Sequence, residues 1–277
     1  MLSVFGDESH DETKQRVFAV AGLLGTPEEW DDLEIRWVKR TGGRVFHAAE
    51  CESDKGEFST TSHKENQELY RDLTKLIADT KMLGFGAGID LAGFNEAFPD
   101  APQDQPYFMC FVRVVIECAW AGYVSIPRQK VKFTFDNRPD SQHYAGSLYG
   151  YMATLPEWKV RPFLHNEISF ACRKTVPIQA ADLLARETMK HLDNQIGPVK
   201  RPMRKSMEAL ARTKRFRFIY HMKSFLEELR KHANGLLGDE DGYSEWLSQN
   251  KLQDNNPNRL RYLIQTEAEQ RAKKAKT

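Results

Sequence analysis

Between residues 131 and 192 the chain alternates strand-like and helix-like segments, and that alternation leaves few folds open. "VKFTFD" (131–136) repeats with period two, and "SQHYAGSLYGYMATL" (141–155) reads as a helix. "ISFACRK" (168–174) is again strand-like, and "PIQAADLLARETMKHL" (177–192) is an amphipathic helix that Pro177 is well placed to start. Strand, helix, strand, helix calls for parallel strands with helices on the faces of the sheet. The first half supplies further strands. "LSVFG" (2–6) and "RVFAVAGLL" (16–24) are joined by the short polar link "DESHDETKQ", which predicts an antiparallel pair. A helix follows from Pro27, another covers roughly 62–81, a third strand spans 82–91, and a largely apolar helix fills 106–124. The G-x-G-x-G within "MLGFGAGIDL" precedes no helix start, so it reads as close packing and not as a nucleotide loop.

Composition narrows the class. With 40 % apolar and 11 % aromatic residues the chain can bury a core. Its four cysteines form no C-x-x-C pair, which argues against a zinc site or a disulfide framework and for a reducing cytoplasm. The opening residues lack the basic and apolar regions of a secretory signal, and no uninterrupted apolar run reaches the roughly 20 residues of a membrane span. The net charge of +1 hides an asymmetry: residues 1–197 carry 22 Lys+Arg against 29 Asp+Glu, and residues 198–277 carry 18 against 10. An acidic domain (1–197) with a basic helical extension (198–277) is expected, with helices over 217–233 and near 257–275 and a charged tail "EAEQRAKKAKT"; the first part suits metal-binding carboxylates and the second a polyanion. Lys200, Arg201, Arg204, Lys205, Lys214, Arg215 and Arg217 crowd the start of the extension as candidate nucleic-acid contacts. Phe216 and Phe218 alternate with them, and core packing is their first use.

Three acids stand out. Asp136 ends the strand "VKFTFD" on the face of Lys132 and Thr134, away from Val131, Phe133 and Phe135. Asp7 follows the apolar run of the first strand, and parallel neighbours would bring the two carboxylates together at the carboxyl edge of the sheet. Asp182 shares a helix face with Gln179 and Arg186 among small residues that allow close approach to the sheet. Three carboxylates in one cleft repel unless protonated or neutralised by a cation, and all-oxygen ligands suit Mg²⁺ or Mn²⁺. His47 and Glu50, in "FHAAE", would share a helix face as a proton carrier or phosphate contact. Each acid taken singly has an ordinary structural use; their topological agreement is what points to a metal site.

The ordered set "DES" (7–9), "FHAAE" (46–50) and "IQAAD" (178–182) resembles a bacterial and phage family of domains of unknown function grouped with the ribonuclease H-like superfamily. The resemblance covers residues 1 to about 193. It implies an α/β fold with a mixed five-stranded sheet flanked by helices, metal-binding Asp7 and Asp136 on strands one and four, and Asp182 on the last helix. Glu8 is the second acid of the first motif, and His10 stands where the family usually has Gly. The superfamily's fourth acid would fall on Glu117, for which an ion pair with Arg113 is the competing use. Glu8 and Glu50 are the other candidates for that ligand.

The function expected is a Mg²⁺- or Mn²⁺-dependent nuclease or phosphotransferase acting on RNA or DNA, with Asp7, Glu8, Asp136, Asp182 and His47 as the catalytic set. The alternative is a nucleic-acid-binding or scaffold protein that keeps the fold without catalysis. A carboxylate-pair glycosidase is disfavoured because no aromatic platform accompanies the acids.

Overall fold

The computed structural model describes residues 1–101, 105–137, 142–153 and 160–237. The expected final helix near 257–275 lies outside the described residues, as does the charged tail. Six strands form one sheet: β1 (Leu2–His10), β2 (Val17–Gly25), β3 (Leu83–Asp90), β4 (Val131–Asp136), β5 (Leu164–Ala171) and β6 (Phe216–His221), in the spatial order β5-β4-β1-β2-β3-β6. β1 pairs with β2, and β2 with β3, in antiparallel fashion; β1–β4, β4–β5 and β3–β6 are parallel. Within this sheet β2 alone runs against the other five.

The central strand β2 is buried along its whole length, which is why it reads as an unbroken apolar run. Its even positions Phe18, Val20 and Leu24 pack on one face with Val4 of β1 and with helix α5 (Gln105–Val124). Ala21 and Leu23 point to the other face, toward helix α7 (Val176–Ile196) and the helices stacked outside it. Those are α1 (Pro27–Thr41), the short α2 (Ala48–Glu52), α3 (His63–Asp79) and α8 (Lys205–Arg212). Thr26 with Glu29, and Ser62 with Glu65, form capping boxes that start α1 and α3. The remaining helices are α4 (Leu91–Ala97), α6 (Gln142–Met152) and α9 (Lys223–Leu237).

Glycines on β3 set how closely α7 approaches. A Cβ at Gly86 would lie 2.3 Å from Thr188 Oγ1 on α7, so the G-x-G-x-G run serves packing. α7 is consequently buried on nearly every side over residues 176–189, not on one stripe, because it lies between the sheet and a further layer of helices.

Three expectations need correction. The sheet has six strands, not five, because the extension is not wholly helical. "FRFIYH" (216–221), expected as the start of a helix over 217–233, is β6, parallel to β3, and α9 begins only at Lys223. Its basic residues mask a period-two pattern that puts Phe216 and Phe218 against the core on the α7 face and Arg217 on the α5 side. The expectation that no apolar stretch reaches the length of a membrane span also needs correction, at α5. Gln105–Val124 is long and apolar enough by length and composition to cross a membrane, but 67 % of its most apolar window is buried inside the fold. Lastly, β1 does not stop at Asp7. It continues to His10, paired with β2 up to His10 opposite Phe18.

Candidate active site

β1 and β4 are parallel neighbours in a register that runs from Leu2 opposite Val131 to Gly6 opposite Phe135. Asp7 and Asp136 are the next residues of the two strands. β4 ends there, while β1 continues along β2 alone, so a cleft opens beyond the end of β4 at the carboxyl edge of the sheet. Alternation turns both carboxylates to the α7 face: Phe5, two residues before Asp7, packs on that side, and Val131, Phe133 and Phe135 pack on the other. Gly6 allows the close fit of the strands, since a Cβ there would lie 2.3 Å from Cε1 of Phe135.

α7 closes the cleft from above with Asp182. The cavity is about 430 Å³, and its lining includes Asp7, Glu8, His47, Glu50, Asp136 and Asp182, with Arg173 from the turn before α7. Asp7 is 8 % exposed and Asp182 6 %. Burial, reinforced by the charges of Asp182, Glu8 and Asp136, raises the Asp7 carboxyl well above its ordinary value. Burial also raises Asp182, against the pull of His47, the Ala48 N–H, Arg186 and Arg173. Asp136 is raised by burial too, against the Asn137 N–H, Arg173 and His47. No family model matches this chain, and comparison with curated proteins and with solved structures finds no match. The site therefore stands on its own chemistry.

That chemistry is mixed. Asp7 feels the charges of Asp182 and Asp136, yet among the described residues no group of three His, Cys, Asp or Glu side chains is placed to hold a metal ion as it stands. One oxygen of each of two carboxylates is already engaged. Asp7 Oδ1 accepts from the Glu8 N–H at 2.7 Å, and Asp182 Oδ2 accepts from the Ala48 N–H at 2.7 Å. The second contact satisfies the first N–H of α2, whose N-cap, His47, provides no side-chain cap of its own.

Gln179, one turn before Asp182, performs the matching task. Its Oε1 accepts from Trp37 Nε1 and from the Phe46 N–H, both at 3.0 Å. Two residues of "IQAAD" thus fasten "FHAAE" to α7. His47 Nδ1 lies 3.4 Å from Glu50 Oε1, so the two do share one face of α2 at the cleft.

At its far end α2 is held by charge. Glu52 accepts from Arg186 through Oε2 (2.8 and 2.7 Å) and from Arg204 through Oε1 (2.7 Å), with Lys190 4.0 Å away. Glu187, fully buried, accepts from the Tyr70 and Ser206 hydroxyls at 2.7 Å each and lies 3.3 Å from Arg204. These partners are far apart in sequence, and no local spacing announces them.

Glu117 takes no part in the cleft. It sits on α5, across the sheet, bound to Arg113 at 3.0 Å and to Arg217 at 2.8 Å. The basic extension divides similarly. Arg204 points inward to the Glu52 and Glu187 carboxylates, Arg215 donates to the Ala78 carbonyl at 2.6 Å, and Arg217 is tied to Glu117. The Lys200 ammonium bonds the Gln195 carbonyl. Arg201, Lys205 and Lys214 are exposed to solvent.

Proposed function

We propose that this chain is a divalent-metal-dependent nuclease or phosphotransferase of ribonuclease H-like fold, with Asp7, Asp136 and Asp182 as the carboxylates that hold Mg²⁺ or Mn²⁺. The observation that carries the reading is the delivery of Asp7 and Asp136 side by side from two parallel strands, under Asp182 from α7. The order β3-β2-β1-β4-β5, with β2 reversed, agrees with the fold that the three motifs imply, and β6 is an addition at its edge. The donor set fits a hard cation: three carboxylates whose mutual repulsion a divalent charge removes. Because the three side chains stand apart, binding requires them to close inward, with Asp182 using the oxygen that Ala48 leaves free. A bound ion would supply activation of water and stabilisation of a leaving oxygen. The chain's own residues do the remainder. Buried walls on β1 and α7 exclude solvent, and His47, within electrostatic reach of Asp136 and Asp182, holds or delivers a proton. Arg201, Lys205 and Lys214 then serve as the phosphate contacts of the extension, since Arg204, Arg215 and Arg217 are engaged within the fold. A cytoplasmic setting suits the free cysteines.

The Ala48 bond and the spread of the carboxylates favour one second reading, a nucleic-acid-binding or scaffold protein without catalysis. Incubating labelled RNA and DNA strands with Mn²⁺ and the parent, Asp7→Asn or Asp136→Asn separates the two. Cleavage by the parent that chelation and both substitutions abolish supports the nuclease. Binding that survives chelation, with no cleavage in any sample, supports the scaffold.

A further inference from the structure

An acidic cleft repels an anionic substrate, so a nuclease built on this one needs positive charge at its mouth. Most nearby cations are engaged elsewhere. Arg186 reaches the cleft but is held by Glu52 at 2.7 and 2.8 Å, and Arg204 is divided between Glu52 and Glu187. Two are not. Arg173, in the turn between β5 and α7, and Lys55, just beyond α2, both line the cleft, and both are exposed while Asp7 and Asp182 are buried. Among the described residues neither side chain has a hydrogen-bond or ion-pair partner. Arg173 shares the cavity wall with Asp136 and Asp182, and its positive charge acts on both carboxylates.

We propose that Arg173 and Lys55 form a phosphate seat on the rim of this cleft, holding the anionic oxygens of a phosphate ester above the carboxylate floor. The division of labour is physical. The planar Arg173 fork can take two oxygens of one phosphate, whereas Lys55 acts as a point charge on a flexible stem. The two cations come from segments that the cleft joins, and their exposure leaves both heads open to a ligand entering from solvent. The proposal rests on the nuclease reading for its substrate class, but the seat is separate from the carboxylates and is tested separately.

The test is fluorescence anisotropy of a short phosphorothioate-linked single strand, as RNA and as DNA, in Mn²⁺ with the full chain. Melting temperature with and without Mn²⁺ is measured alongside. In the Arg173→Ala/Lys55→Ala double variant, affinity falls roughly tenfold or more, the size expected for two lost charge-assisted contacts. The log–log salt slope becomes shallower by about 1.4, about 0.7 for each contact to a single strand. Arg173→Lys keeps its share of the slope and loses affinity severalfold, because charge remains and the fork does not. The Mn²⁺-induced rise in melting temperature persists in all of these variants. Unchanged affinity and slope in the double variant overturn the seat, and so does a parent that binds neither strand. If the parent binds and the double variant does not, but Mn²⁺ leaves the melting temperature untouched, the seat stands and the metal reading falls.

Discussion

Asp182 has two roles that a pair of substitutions can separate. Asp182→Asn keeps an oxygen that can accept the Ala48 N–H, now 2.7 Å away, and removes the negative charge that raises Asp7. Asp182→Ala removes charge and acceptor together and leaves a buried backbone N–H without its partner. The loss of charge is common to both, so their difference isolates the bond to α2, at about 1–3 kcal/mol. For a domain of this size that corresponds to roughly 2–10 °C in melting temperature, with Asn the more stable. The charge itself shows in the pH dependence of parent against Asp182→Asn. Asp7 and Asp182 are raised in the folded protein, so their protonated forms favour folding below about pH 4. That contribution is lost as pH rises through the folded values. Asp182→Asn should therefore match the parent near pH 4 and exceed it at pH 7 in metal-free buffer. The gain should grow as pH rises from 4 to 7, because it is the ionised form of Asp182 that repels Asp7. Differential scanning fluorimetry in chelator across this range measures both effects. Asn no better than Ala, with no growth of its advantage between pH 4 and 7, would refute both the cap and the repulsion.

Glu52→Gln leaves Arg186, Arg204 and Lys190 around a neutral side chain and should cost about 3 kcal/mol in denaturant titration, short of a fully buried pair because Glu52 is partly exposed. Gly6→Ala forces a Cβ into the Phe135 ring and should lower stability by about 1–3 kcal/mol, weakening the Mn²⁺ response because the next residues are Asp7 and Asp136. Asp11 is pushed up by burial, but the Thr13 hydroxyl and the N–H groups of Val17, Arg16 and Thr13 outweigh that and hold it at about 2. Its stabilisation, about 2–3 kcal/mol, is present above pH 4 and fades as pH falls through 2, so the deficit of Asp11→Ala should shrink over that window in acid titrations.

Much of this architecture can be read from period alone, and the exceptions have physical causes. The parallel pairing of β4 and β5 follows from the strand–helix alternation, and the placing of Asp136 opposite Phe133 and Phe135 follows from "VKFTFD"; the pairing of β1 with β4 is a long-range contact that no local period announces. The run of β1 through Asp7 to His10 is hidden because its support comes from the apolar partner β2, not from its own residues. β6 is hidden for the opposite reason: its charges resemble a solvated helix, whereas Phe216 packs in the core and Arg217 reaches across to Glu117. Asp182 is legible as an acid on a small-residue helix face. Its bond to Ala48 is not, nor is Gln179 with Trp37 and Phe46, since both depend on segments more than a hundred residues away. Asp11 is likewise concealed within a polar link that reads only as a turn.

The central claim is that Asp7 and Asp136 jointly hold a divalent cation, and the melting temperature with and without Mn²⁺ tests it most directly. An ion that binds only the folded state stabilises it by mass action, by about 2.7 kcal/mol at a hundred times its dissociation constant. The parent should therefore melt several degrees higher in Mn²⁺, and Asp7→Asn and Asp136→Asn should each lose that rise while still folding in chelator. An equal rise in the parent and both variants would contradict the claim, because the ion would then be held elsewhere.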